Sequence, residues 1–531
     1  MLLKLLLFGS ALYFFIITMT LKAQVSLEWL NRREYSQGNS MVIDDAENVY
    51  VTGKTGGYTD SINYCTVKYN KSGDVQWEAI TNSKFDRFDE AKSIAVDNEG
   101  NVYVTGDSYT SQYYFDYLTV KYNSSGIEQW ARSYNGPNNF QDFAASVKVD
   151  NNGNVYVTGY SRGNGTDYDY ATIKYNAMGE EQWVRRYNGT SNYYDRATAM
   201  VLDDSGNIYV TGYSSHNWFW ADFLTIKYNS SGTEQWVARF KNFETASLRA
   251  TAIAVDRVGN VYVTGDCFYE QKTYSNYGTI KYNSNGALQF SVFYDGTNHV
   301  NDWARSIAID TLGNVCVTGT SEHEYATVMY DTNLTQKWVA IYTGEVVNHE
   351  AYAVALDQYG NVYVTGGGSG LNDPYRFKYT TIKYNNAGVQ QWLQIFSEPG
   401  ISLVANSIAI GKSGAVYVSG GVGYNFLTLK YSQSTDIVSI NNSLANYKLS
   451  QNYPNPFNPS TLIEFSLPEK TFVSLKVFNV MGKEISEFVN ENLSEGTFQY
   501  EFNADNLPSG IYFYKLKTEN FTQTRKMILI R

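Results

Sequence analysis

Histidine, cysteine, proline and net positive charge are all scarce in this chain, and each scarcity removes a class of function. The four histidines, His216, His299, His323 and His349, stand in different repeats at unrelated loop positions. No His-Glu-x-x-His or paired-ligand spacing joins them, so no metal centre is expected. The three cysteines, Cys65, Cys267 and Cys316, also occupy unrelated positions and cannot build a repeated disulfide frame. Cys316 replaces the tyrosine of a Val-Tyr-Val run and reads as a small buried hydrophobe. With 41 Lys and Arg against 52 Asp and Glu, the net charge is -11, and basic clusters are missing. That excludes nucleic acid and anionic membrane surfaces as partners. One long apolar run exists, Leu5 to Met19, preceded by Lys4 and followed by Leu21-Lys22-Ala23. It is short for a membrane span and reads as a secretory signal peptide over residues 1–23, with an uncleaved anchor as the alternative. No membrane span is expected once it is removed.

What the chain has in excess is tyrosine, 47 of them in 531 residues, and repetition. A segment such as Ser93-Ile-Ala-Val-Asp97, Asn101-Val-Tyr-Val-Thr-Gly106, Tyr117-Leu-Thr-Val-Lys-Tyr122, Gln129-Trp130 recurs eight times between Ser40 and Tyr431. The glycines Gly53, Gly106, Gly159, Gly212, Gly265, Gly319, Gly366 and Gly420 mark the beat, and so do Trp29, Trp77, Trp130, Trp183, Trp236, Phe290, Trp338 and Trp392. The last copy lacks its Trp-bearing segment, while Glu28-Trp29-Leu30 stands alone before the first. Four short strands per copy at this period predict an all-β, eight-bladed propeller over 24–433, its amino-terminal strand completing the last blade. Closure of that kind leaves no exposed sheet edge.

Within a copy, strand a is rich in small residues and suits a narrow axis. Strands b and c are apolar on both faces, as sheets sandwiched between neighbours are. The Trp of strand d reads as a packing plug between blades. The a–b and c–d turns are terse, as in Asp97-Asn-Glu-Gly100-Asn101 and Asn123-Ser-Ser-Gly126, and are hairpins rather than sites. All long, irregular text lies in the b–c and d–a connections, which antiparallel alternation puts on one face of the disc. There Tyr113, Tyr114, Tyr168, Trp218, Trp220 and Tyr269 occur in b–c loops, and Asp89, Asp142, Asp195 and Asp302 recur just before the channel strand. Flat aromatic faces beside carboxylates suit a carbohydrate or peptide ligand. Read structurally instead, the aromatics cover blade tops and the aspartates bond loop amides. Paired carboxylates could also hydrolyse glycosides, at a separation sequence cannot supply.

Five of the eight prolines, Pro454, Pro456, Pro459, Pro468 and Pro508, crowd into the carboxy-terminal stretch. Residues 434–446 read as a linker, and 447–531 as a second domain. Strand-like runs at Thr461–Leu467, Val473–Val480, Ile485–Val489, Thr497–Phe502, Ile511–Lys517 and Thr522–Ile530 predict a small immunoglobulin-like β-sandwich. Its motifs, Asn452-Tyr-Pro-Asn-Pro-Phe-Asn-Pro-Ser-Thr461, Val477-Phe-Asn-Val-Met-Gly482, Ser509-Gly-Ile-Tyr512 and Lys526-Met-Ile-Leu-Ile-Arg531, resemble the type A C-terminal sorting domain of type IX secretion substrates. The repeats are similar to the β-propeller repeats of bacterial secreted proteins. The resemblance implies export to the cell surface or medium and a partner in the type IX machinery; the propeller likeness implies an architecture and no activity. Gly126-Ile-Glu-Gln-Trp130 and its relatives also resemble the tryptophan-docking repeats of eight-bladed quinoprotein dehydrogenases. The adjacent-cysteine pair of that family and a cofactor-ligand set are missing, so no cofactor is expected.

The reading that follows is an exported surface or extracellular binding scaffold for a carbohydrate or protein ligand. A secreted polysaccharide hydrolase or lyase working at the long-loop face, and a structural surface-layer component, are the alternatives.

Overall fold

A computed structural model describes residues 24–530, except 35, 56–61, 83–87, 110–113, 242–245, 270–273, 345, 371–372, 399–400, 422–424 and 435–446. The signal-peptide segment, nearly all of the linker and Tyr113 therefore lie outside the described residues. Among those described there are strands and turns but no helix, and none that could cross a membrane as a helix. The chain divides into two compact units, one holding Val25–Gln433 and the other Ser434–Arg531.

The first unit is eight four-stranded antiparallel sheets. Blade 2 shows the plan: strand a is Asp89–Val96, b Val102–Tyr109, c Phe115–Tyr122 and d Glu128–Tyr134. In blade 8 strands a to c are Ala405–Ile410, Val416–Gly420 and Asn425–Ser434, and strand d is Gln24–Glu34 from the other end of the unit. Strand a of every blade packs against strand a of the next, and that of blade 8 against that of blade 1, Ser36–Ile43, so the ring is closed.

One local device repeats in all blades and explains the glycine beat. Strand a carries a bulge, between Ala91 and Ser93 in blade 2, Ala144 and Ser146 in blade 3, and Ala405 and Ser407 in blade 8. The bulge swings the carbonyl of the preceding residue toward strand b. A Cβ at Gly106 would lie 2.0 Å from the Glu90 oxygen, and one at Gly53 1.8 Å from that of Gln37. Only glycine fits opposite a bulged carbonyl at that range. The bulge also lengthens strand a beyond its expected start: it begins at Asp89 rather than Ser93, because the extra residue breaks the period-two alternation that would mark the strand.

Blades are joined by their tryptophans. The Trp77 indole donates to the Ser124 carbonyl of the next blade at 3.0 Å, and its ring lies over Gly126, where a Cβ would come within 2.6 Å. Trp130 over Gly179 and Trp29 over Gly73 repeat the contact, the latter across the seam. At the a–b turns of blades 1 to 5 and 7 the aspartate accepts two backbone N–H groups and a tyrosine hydroxyl from strand b. Asp97 does so from Glu99, Asn101 and Tyr103 at 2.9 Å each. Much of the tyrosine excess is thus buried rings, and the strand-b tyrosines of these six blades have satisfied hydroxyls.

The second unit is a sandwich. One sheet pairs Lys448–Leu449, Ser460–Leu467 and Gly496–Asn503; the other orders Glu484–Leu493, Thr471–Asn479, Gly510–Lys517 and Thr522–Leu529. Ile463, Phe465 and Phe498 of the first share one core with Leu475, Val477, Tyr514 and Met527 of the second. The proline-rich entry is tied down by buried Asn452, whose Nδ2 donates to the Pro454 carbonyl and Thr461 Oγ1 while its N–H donates to the Tyr514 hydroxyl at 2.7 Å. The peptides before Pro454, Pro456 and Pro459 are cis.

Candidate functional site

The b–c and d–a connections share one face of the ring, and there the predicted residues divide sharply. Asp89, Asp142, Asp195 and Asp302 open strand a of blades 2, 3, 4 and 6, and none is more than 1% exposed. Three do one job: the carboxylate accepts the N–H of Gly136, Gly189 or Gly296 six residues back, at 2.5, 2.6 and 2.8 Å. Each holds a d–a loop whose tip, Asn139, Asn192 or His299, has a φ of 51 to 54°. Asp89 accepts Ser108 Oγ at 2.7 Å and the Tyr109 N–H. Burial raises the carboxyls of Asp142, Asp195 and Asp302, that of Asp195 to about 6, against the pull of these hydrogen bonds. As placed, all four are buried, Asp142, Asp195 and Asp302 each fastening a loop and Asp89 the end of strand b.

The aromatics also separate. Tyr269 ends strand b of blade 5, Val261–Tyr269, is 6% exposed, and packs edge-on to Phe293. Tyr114 lies 4.7 Å from the Phe140 ring, and Trp220 stacks on Phe268 at 6.3 Å. Tyr168, opening strand c of blade 3, donates to Gln141 and neighbours Tyr160 and Tyr194. Trp218 alone of the described set is strongly exposed, at 63%, with Phe219 beside it at 74%. Its ring is held edge-on by Tyr193 and Tyr194, 5.2 and 5.7 Å away.

Trp218 and Phe219 stand over a cleft of about 240 Å³ lined also by Tyr194, Arg196, Tyr213 and Arg249. It lies between blade 4, strands Asp195–Leu202 and Ile208–Ser215, and strand a of blade 5, Ala246–Val255. The Arg196 guanidinium carbon is 4.8, 5.0 and 4.9 Å from the ring centres of Tyr160, Tyr168 and Tyr194. Arg249 sits 5.5 Å over Tyr213. Cations held on aromatic faces in this way gain from the ring quadrupoles. A wider hollow of about 600 Å³ lies on the short-turn face at the seam, but its Glu47, Lys71 and Lys430 are engaged in ring closure.

Tyr194, Tyr213, Arg196 and Arg249 were not evident as site residues in the sequence. The signal was there: Arg196-Ala-Thr-Ala199 and Arg249-Ala-Thr-Ala252 repeat one spelling in adjacent blades, where other copies carry Glu90, Phe143 or Trp303. Among the described residues no three His, Cys, Asp or Glu side chains gather as a metal site.

The architecture defines a β-propeller protein that also carries a small β-sandwich unit, and comparison agrees. Residues 451–530 match the secretion system C-terminal sorting domain, and 89–112, 129–166, 182–219 and 235–266 match the β-propeller repeat. The chain is thus a β-propeller protein with a type IX secretion sorting domain, directed to the cell surface or extracellular space. No curated protein matches it in sequence. Among solved structures it is similar to PorZ, a surface component of the type IX secretion system of Porphyromonas gingivalis, at 14% identity and a TM-score of 0.40, covering 93% of this chain and 70% of that one. It is also similar to the β-propeller domain of the Trilobed protease from Pyrococcus furiosus, at 7% identity and 0.39, covering 67% and 98%. A polysaccharide lyase of family PL25, an ulvan lyase, gives 11% identity and a TM-score of 0.41, covering 69% of this chain and 96% of that one.

Proposed function

We propose that the propeller is a carbohydrate-binding scaffold whose ligand seats at the cleft between blades 4 and 5. The observation that carries this reading is the Trp218–Phe219 pair lining the Tyr194–Tyr213 cleft, the two most exposed aromatic side chains among the described residues of the propeller. Exposed ring faces braced from behind present apolar area at little entropic cost, and the apolar face of a sugar ring can lie on them. Burial of Asp89, Asp142, Asp195 and Asp302 supports binding over glycoside hydrolysis, which needs two carboxyls open to the substrate. The sorting domain supplies delivery, and a rigid closed ring supplies a surface that stays ordered outside the cell.

The test is a polysaccharide panel against the full chain and Trp218→Ala. Retention that the variant loses by about tenfold or more, with no product released, is the expected outcome. Oligosaccharide release would make the face an active site. Retention of protein ligands only would replace the carbohydrate reading.

A further inference from the structure

Resting on that reading, we infer that the ligand at this cleft is an acidic polysaccharide, its carboxylate or sulfate held between Arg196 and Arg249. The protein is acidic overall, yet these two guanidinium groups from successive blades line one small cleft. Two other arginines, in blades 3 and 4, are taken up by internal partners. Arg186 pairs with Asp169 and Arg239 with Asp222, each at 2.9 Å. Among the described residues neither Arg196 nor Arg249 makes an ion pair, and the Arg196 Nε is buried without a hydrogen-bond partner. Asp266 is near enough to feel the charge of Arg249 and of Arg305. What Arg196 has instead is three tyrosine rings, which fix the guanidinium plane but accept none of its protons strongly.

A planar donor fork left with open N–H groups in a cleft is the arrangement that receives a carboxylate or sulfate. The cleft is small and open, suited to one unit of an extended chain rather than to a whole free molecule. Trp218 and Phe219 at its lip favour a sugar ring over an acidic peptide, since they offer flat area next to the anion site. Arg249 is solvent-exposed and completes the fork from the neighbouring blade.

Affinity electrophoresis of the full chain in polygalacturonate, carrageenan, neutral galactan and polyglutamate tests the inference. The acidic polysaccharides should retard the protein at least about tenfold more strongly than galactan, and the retardation should weaken with added salt. The stronger of the two acidic polymers identifies carboxylate or sulfate as the bound group. Arg196→Gln and Arg249→Gln should each cost about tenfold toward the acidic polymers. Because Arg249 is exposed, its variant should keep the parent melting temperature, so that a loss there is one of binding. Equal retention in galactan, unmoved by Arg249→Gln, would overturn the acidic assignment and leave carbohydrate binding standing. Retention in none of the polymers would overturn both. Arginine-dependent retention in polyglutamate alone would make the occupant a peptide and end the inference.

Discussion

Glu47 of the first blade accepts the hydroxyl of Tyr417 of the eighth at 2.9 Å. In blades 1 to 5 and 7 the same tyrosine bonds an aspartate of its own a–b turn, as Tyr50 does Asp44 and Tyr363 does Asp357. Blade 8 has Gly411 in that place. A Cβ there would lie 2.6 Å from the Glu47 carboxyl carbon, so the glycine makes room for a carboxylate that arrives from across the seam. Glu47 also accepts the Ser413 N–H and hydroxyl at 2.6 and 2.8 Å. Burial pushes its carboxyl up, and the Ser413 and Tyr417 hydrogen bonds more than offset this, leaving it below the usual range.

Glu47→Ala should therefore loosen the seam. The Tyr417 hydroxyl and the Ser413 groups lose their acceptor, at a cost of about 2–3 kcal/mol in a denaturant melt. Hydrogen exchange should show blade 8 amides losing protection before those of blades 3 to 5. With a depressed folded pKa, the contribution is present above the unfolded glutamate value of about 4.3 and is lost as pH falls through the folded one. The variant and the parent should converge in acid.

Deleting Val25–Glu34 should open blade 8. The deletion removes the Lys430–Glu28 pair at 3.0 Å, the Trp29 bond to the Lys71 carbonyl and the outer strand itself. An unpaired strand Asn425–Ser434 then becomes an edge that invites association. A lower melting temperature and higher-order species on size exclusion are expected; unchanged melting of a monomer would contradict the closure.

Asp116 gives the propeller a stability that declines toward neutral pH. Burial, with a further push from Asp142, raises its carboxyl to about 7. The matching Asp169 is paired with Arg186, but strand d of blade 2 has Ser133 at the arginine position. The folded state holds the proton more tightly than the unfolded chain, whose aspartates titrate near 3.9, so stability drops as pH rises from about 4 to about 7. Asp116→Asn should match the parent at pH 4 and exceed it at pH 8 by about 1–4 kcal/mol, read from denaturant midpoints.

Removing residues 447–531 should stop export while leaving the propeller folded. Among the described residues the sandwich has a core of its own, from Leu449 to Leu529. Cell fractionation should find the truncated chain retained inside the outer membrane, with an unchanged melting temperature on purification. Surface delivery without the tail would remove its assigned role.

Much of the fold was legible because a repeat states its own arithmetic. Gly106 and its counterparts, Trp130 and its counterparts, and the orphan Glu28-Trp29-Leu30 yield blade number and closure without any energy estimate. The strand a boundaries were less legible, since the bulge after Ala91 inverts the alternation on which a strand is recognised. For the site, residue type misled where burial decided. Asp142 and Trp218 both looked like ligand residues on the long-loop face, yet one fastens Gly136 and the other stands in solvent.

By itself the sequence determined an eight-fold ring, its seam and the exported character of the chain, because periodicity, turn chemistry and terminal motifs are local and survive in one dimension. Which side chains of that face are exposed and meet in one cleft was decided only in three dimensions. Arg196 and Arg249 are 53 residues apart and come to line one cleft only when blades 4 and 5 pack side by side. Exposure and proximity are properties of packing, and no spelling of a single blade contains them.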